Sequence, residues 1–168
     1  MKTVPWGFVM GDQNMWAQLD EQSVIKANSQ FWEQMLAMKL EPVSGAADFS
    51  VTAGHVMGSV GLSGNWKGRI EVRLCAGLAV QATAAMLMQP AESVAEADKL
   101  DAAKEIANMI AGTIKSSLPR PCSMTVPDAV VEPEKYTAGE PATDTLLVLF
   151  RHESGDLLVR VWEQECLG

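Results

Sequence analysis

A chain of 168 residues, 48% of them hydrophobic, suits one packed domain and is too apolar for wholesale disorder. Its formal charge of −8 would repel nucleic acid and anionic membrane surfaces, so both are disfavoured as partners. Cys75, Cys122 and Cys166 are far apart with no C-x-x-C pair, which argues against a disulfide framework or a zinc ribbon, and no apolar run is long enough to span a bilayer. Near the N-terminus a lone Lys2 precedes Pro5 and Gly7, which does not read as a signal peptide. A cytoplasmic location is therefore expected.

Residues 1–18 lack a regular period, because Pro5, Gly7 and Gly11 interrupt the apolar Trp6, Phe8, Met10, Met15 and Trp16. They read as an arm that packs on the domain at 19–168 or on a second subunit. From about Asp20 the pattern is helical: Val24, Ala27, Phe31, Met35 and Met38 recur at three- and four-residue steps. Asp20 or Ser23 can cap this helix, and Pro42 lies beyond its end. Phe49–Ser63 and Lys67–Cys75 flank Gly64-Asn65 and read as a hairpin. In the second run Ile70, Val72 and Leu74 alternate with Arg69, Glu71 and Arg73. An Ala- and Met-rich helix is expected over Leu78–Gln89, stopped by Pro90. The longest helix runs over about Glu96–Leu118, ended by Pro119 and Pro121. Strands follow at Ala129–Val131, Thr145–His152 and Leu157–Trp162, the last two forming a hairpin about Ser154-Gly155-Asp156. The order predicts an α/β domain of the α+β kind, with a mainly antiparallel sheet and long helices packed on one face. It also hints at two similar halves. Leu157–Trp162 alternates weakly and is expected to form an exposed sheet edge.

On the longest helix, Ala103, Ile106, Ala107, Ile110 and Ile114 gather on one side at 3.6 residues per turn. Asp101, Glu105, Asn108, Gly112 and Lys115 gather on the other. Charged and amide residues on the outer face of an amphipathic helix are ordinary, so spacing alone points to a plain solvated face. Gly112 costs about 1 kcal/mol relative to alanine in a helix interior. It permits close approach, either of another surface or of packing within the fold.

The stretch Asp101-Ala-Ala-Lys-Glu105-Ile-Ala-Asn108-Met-Ile-Ala-Gly112 resembles the signature helix of the CheC/CheX family. That pattern has Asp or Ser, three residues, Glu, two residues, Asn, and a later proline. Here Pro127 is the best match for the proline, with Pro119 and Pro121 as alternatives. Gly58-Ser-Val-Gly-Leu-Ser-Gly64-Asn-Trp66-Lys-Gly68 resembles the strand-turn-strand before the Ala- and Met-rich helix of that family. The first helix offers Glu21 and Asn28 but carries Ile25 at the middle position, so one signature is counted, as in CheX.

The resemblance implies a phosphatase acting on the aspartyl phosphate of a CheY-like response regulator. Asn108 would orient the attacking water and Glu105 would pair with the regulator's lysine. Asp101 and Gly112 would contact the partner. No cofactor is implied on this chain, since the divalent metal, Mg, belongs to the regulator. A homodimer is also implied. Two other readings remain: a non-catalytic adaptor of the same fold that binds a response regulator or motor component, and a subunit serving assembly alone.

Other candidates are weaker. Gly58, Gly61 and Gly64 are misspaced for a dinucleotide fingerprint or a phosphate loop, and Ser63 lacks a nucleophile elbow. His55 and His152, at strand positions, read as structural. The methionines read as core filler, and Trp66 and Trp162 as packing.

Overall fold

The computed structural model describes residues 19–164. The arm expected at 1–18 lies outside the described residues. Helix α1 spans Glu21–Leu36, and Asp20 caps it by accepting the Ser23 N–H at 2.9 Å. That bond holds the Asp20 carboxyl below its ordinary range. The buried stripe of α1 is Val24, Ala27, Asn28, Phe31 and Trp32. Met35, expected on that stripe, is 59% exposed. At 100° per residue Met35 keeps the angular position of the stripe, but it stands in the last turn of α1, beyond the buried Phe31 and Trp32.

After α1 come β1 (Glu41–Val43), β2 (Ser50–Val51), β3 (Val56–Gly64) and β4 (Gly68–Leu74). Helix α2 (Ala76–Leu87) and the long α3 (Glu96–Lys115) follow. The chain ends with β5 (Cys122–Met124), β6 (Asp128–Val131), β7 (Tyr136–Thr137), β8 (Thr145–His152) and β9 (Gly155–Glu163). The main sheet runs β1-β8-β9-β4-β3, and β5 and β6 both pair with the outer edge of β3. Every pairing is antiparallel. The α+β architecture with the long helices on one sheet face is as expected.

Ile70, Val72 and Leu74 of β4, Leu157, Val159 and Val161 of β9, and Val148 and Phe150 of β8 form the floor of the main core. The three helices cover that floor. On the other face, Phe49, together with Val51 and Tyr136 from the small β2–β7 pair, packs over Leu149 and Leu158.

The terminal strand is a correction. Expected at an exposed edge, β9 instead lies in the middle of the sheet. Val159 pairs with Val72 of β4 on one side and with Val148 of β8 on the other. Its alternation is weak because Leu158 is buried on one face and Leu157, Val159 and Val161 on the other, as befits a strand covered on both sides. Among the described residues, the outer strands are β1 and the β5–β6 run.

The topology also carries the two halves. The β3–β4 and β8–β9 hairpins meet at β4–β9, and each half sends the strand after its long helix to the other half's hairpin. Thus β1, after α1, pairs with β8, while β5 and β6, after α3, pair with β3.

The seat of α3 on this sheet is set by Gly58 in β3. A Cβ there would lie 2.4 Å from the Ala103 carbonyl oxygen and 3.3 Å from the Ala107 Cβ. Ala103 and Ala107 are themselves almost fully buried. The helix therefore sits against the strand backbone through small residues on both sides. Gly58→Ala should cost about 1–3 kcal/mol, the range for overpacking a dense core. Urea unfolding checks it, and a variant as stable as the parent would show that α3 has room to move.

Candidate functional site

With Ala103, Ile106, Ala107, Ile110 and Ile114 at 0–1% exposure, the orientation of α3 is fixed. Burying such aliphatic side chains is worth about 1.5–3 kcal/mol each for the larger ones. The helix ends suit its dipole: Glu96 and Asp98 lie in the first turn and Lys115 in the last, and Asp98 accepts the Ala95 N–H at 3.1 Å. The opposite face is turned to solvent. Asp101 and Glu105 are exposed and Asn108 is half-buried at the rim of the helix packing. The structure thus brings the three expected side chains onto one stripe, with Gly112 one turn further on.

Asp101 has a weak neighbour in Lys104, at 3.8 Å, on an open surface where such a pair contributes little. Among the described residues, the carboxylate of Glu105 and the amide of Asn108 have no hydrogen bond or ion pair. Both groups are held by a rigid helix with their polar atoms uncommitted.

Gly112 answers a question that the sequence leaves open. A Cβ built on it would meet nothing within 4 Å. Packing within the domain therefore does not require glycine there.

The first helix has no such stripe. Asn28 is fully buried, and its amide nitrogen donates to the Val24 carbonyl at 2.9 Å. It is directed into the helix packing, away from any docking partner. A single exposed signature is what the structure contains among the described residues.

Past the end of α3 the chain turns through Pro119 and a cis Arg120–Pro121 peptide into β5. The β3–β4 turn holds this segment. The Asn65 N–H donates to the Pro121 carbonyl at 2.9 Å, and the Asn65 side-chain amide donates to the Arg120 carbonyl. Thr125 exchanges bonds with Gly61: its N–H donates to the Gly61 carbonyl at 2.8 Å and its hydroxyl accepts the Gly61 N–H at 2.9 Å. Between α3 and this held segment lies an open groove of about 670 Å³, bordered by Gly112, Lys115, Arg120, Pro121, Cys122 and Met124. Burial pushes the Cys122 thiol up, the nearby Lys115 charge acting the other way. Lys115 is legible in the sequence as part of the outer stripe. Arg120 and Met124 are not, since the turn that returns them to α3 leaves no periodic signal. Pro127, the candidate for the later family proline, directly precedes β6, which lies under α3.

The remaining sequence candidates are structural. His55 is buried between Thr52 and Arg73. Because a carbonyl only accepts and a guanidinium only donates, Nδ1 donates to the Thr52 carbonyl (2.9 Å) and Nε2 accepts from Arg73 (3.0 Å). His152 accepts the Ser154 N–H at 3.1 Å within the β8–β9 turn. Trp66 is buried in the core, and Trp162 lies under the Arg160 guanidinium at 4.1 Å. Among the described residues no cluster of His, Cys, Asp and Glu is disposed to hold a metal ion, and no helix is long and apolar enough to cross a membrane.

Fold and site together define a two-halved α+β domain that offers one acid-and-amide stripe on a solvent-facing helix. A family model described as chemotaxis phosphatase CheX matches residues 56–150, more than half of the chain and all of that helix. The chain belongs to the CheX family. Among solved structures, it is similar to the chemotaxis protein CheX from Vibrio vulnificus. Identity is 19%, the TM-score is 0.69, and the match covers 86% of this chain and 95% of that one. It is similar too to the CheX of a CheX–CheY–BeF3–Mg complex from Borrelia burgdorferi, at 18% identity and TM-score 0.67, with 86% and 97% covered. A CheC-like protein from Shewanella sp. PV-4 gives 19% identity and TM-score 0.68, with 86% and 96% covered. At these identities the likeness is one of fold. No curated protein matches the chain by sequence.

The open space above Gly112 has a measurable consequence. Gly112→Ala should raise stability by about 0.5–1 kcal/mol, because alanine removes backbone entropy from the unfolded chain and meets no obstacle in the folded one. Urea denaturation reads this directly, and a loss of stability would show that the position is crowded.

Proposed function

We propose that this chain removes the phosphoryl group from the aspartyl phosphate of a CheY-like response regulator, docking the regulator on the outer stripe of α3. The observation that carries the reading is the pair Glu105 and Asn108: adjacent turns of one rigid helix, facing solvent, with uncommitted polar atoms. Family membership and the CheX–CheY complex of the Borrelia relative support it.

In the reaction a water oxygen bonds to phosphorus while the P–O bond to the aspartate breaks. The products are a free carboxylate and inorganic phosphate, which leaves as dihydrogen phosphate carrying both of the water's protons. A regulator of this kind brings its own divalent metal and lysine to neutralise the phosphoryl oxygens. The missing element is a water held in line. An amide carries both a donor and an acceptor, so Asn108 orients the water without having to deprotonate it. A hundredfold acceleration asks about 2.7 kcal/mol, within what positioning supplies. Glu105, one turn earlier, forms a charge-assisted pair with the regulator's lysine and sets the register. Asp101 makes a rim contact. The setting for this exchange is the cytoplasm.

The adaptor alternative needs the same surface but no amide directed at a water, and two variants separate it. Asn108→Ala should reduce phosphate release from a phosphorylated regulator to the regulator's own rate while binding largely persists, because the lost contact belongs to the transition state. Glu105→Gln should weaken both binding and turnover, and Glu105→Lys more so, since like charges then meet. Full activity in a folded Asn108→Ala protein would leave the adaptor reading in place.

We also propose a two-fold homodimer with both α3 stripes free. Since β9 is interior, sheet-edge pairing would fall to β1 or to the β5–β6 run. Light scattering at micromolar concentration should give twice the chain mass of 18.1 kDa. A monomer mass removes the dimer.

A further inference from the structure

We propose that the groove beside Gly112 receives an apolar side chain from the regulator, and that a carboxylate next to it on the regulator pairs with Lys115 and Arg120. This rests on the phosphatase reading and adds a second anchor to it, distinct from the Glu105 and Asn108 contacts.

Three observations lead there. Gly112 belongs both to the stripe and to the groove, so a partner seated over Asn108 continues into the groove without a break. The apolar part of the lining, Pro121, Cys122 and Met124, is anchored to β3 and the β3–β4 turn, so it presents a preformed surface. The charged part is cationic only. Lys115 and Arg120 border the groove with no acidic residue among its lining, and neither has an ion-pair partner among the described residues. That stands out in a chain with 21 acidic and 13 basic side chains.

The sign of charge therefore changes along the docking face. On the outer stripe Asp101 and Glu105 stand toward the start of α3, with Lys104 beside Asp101, while Lys115 in its last turn and Arg120 just past its end border the groove. A partner with a lysine opposite Glu105 and a carboxylate opposite Lys115 fits in one direction and is repelled in the reverse one. The absent side chain at Gly112 leaves the approach open between the two charged ends.

The test uses the whole chain and a set of response regulators from the same cell, each treated with beryllofluoride as a phosphoryl stand-in. Affinity is measured by titration calorimetry at several salt concentrations. The double variant Lys115→Glu/Arg120→Glu should weaken binding about tenfold or more and flatten or invert its salt dependence. Gly112→Leu, with folding checked by circular dichroism, should weaken binding about tenfold by filling the approach. Changes below about threefold in both variants, with unchanged salt dependence, would overturn the groove proposal. If Asn108→Ala still abolished phosphate release, the phosphatase reading would stand without it. If no regulator bound or lost its phosphoryl group with the parent chain, the phosphatase reading would fail and the groove proposal with it.

Discussion

A missing side chain at Gly58 lets the Ala103 carbonyl settle onto β3, and the rest of the site depends on that contact. Ala103 and Ala107 are small enough to follow the carbonyl inward, so α3 lies against the strand along its length. Two residues in contact with the sheet on one side of a helix determine what points away on the other. Asp101, Glu105 and Asn108 face solvent because Ala103, Ile106, Ala107 and Ile110 cannot. The candidate stripe is thus held by packing, and the polar atoms of Glu105 and Asn108 are left uncommitted.

The two-halved topology shows why the chain has one such stripe. Both long helices lie on the same sheet face, and each is followed by a strand that pairs with the opposite hairpin. In α1 the amide at Asn28 is turned into the packing with its nitrogen bonded to the Val24 carbonyl. Ile25 stands where an acid would be needed. The same architecture therefore serves as support in one half and as a presenting surface in the other.

Much of this was legible in the sequence. The apolar face of α3, the outer stripe, the hairpins at Gly64-Asn65 and Gly155, and the extents of β8 and the long helices follow from period and turn chemistry. The place of β9 did not follow. A strand buried on both faces loses the alternation that would mark its side, and the same weak pattern suits an edge or a centre. The short β1, β5 and β7 were also invisible, because two or three residues carry no period and their existence depends on partners far along the chain, while the single strand expected over Phe49–Ser63 is divided into β2 and β3 by a turn with Gly54 at positive φ. The roles proposed for Glu105 and Asn108 come from a family resemblance, since spacing alone leaves them as solvated residues. The groove at Arg120 and Met124 required the fold, because β3 and its turn bring those residues back beside Gly112.

The central claim is that the amide of Asn108, and not that of Asn28, reaches the water at the regulator's phosphoryl site. The side-chain amide resonances of Asn108 and Asn28 test it most directly, observed by NMR as a beryllofluoride-activated regulator is added. Asn28 is an internal control, fully buried and bonded to its own helix. The account predicts a large shift at Asn108 on complex formation, dependent on beryllofluoride, and none at Asn28. An unmoved Asn108 signal in a complex that demonstrably forms would contradict it.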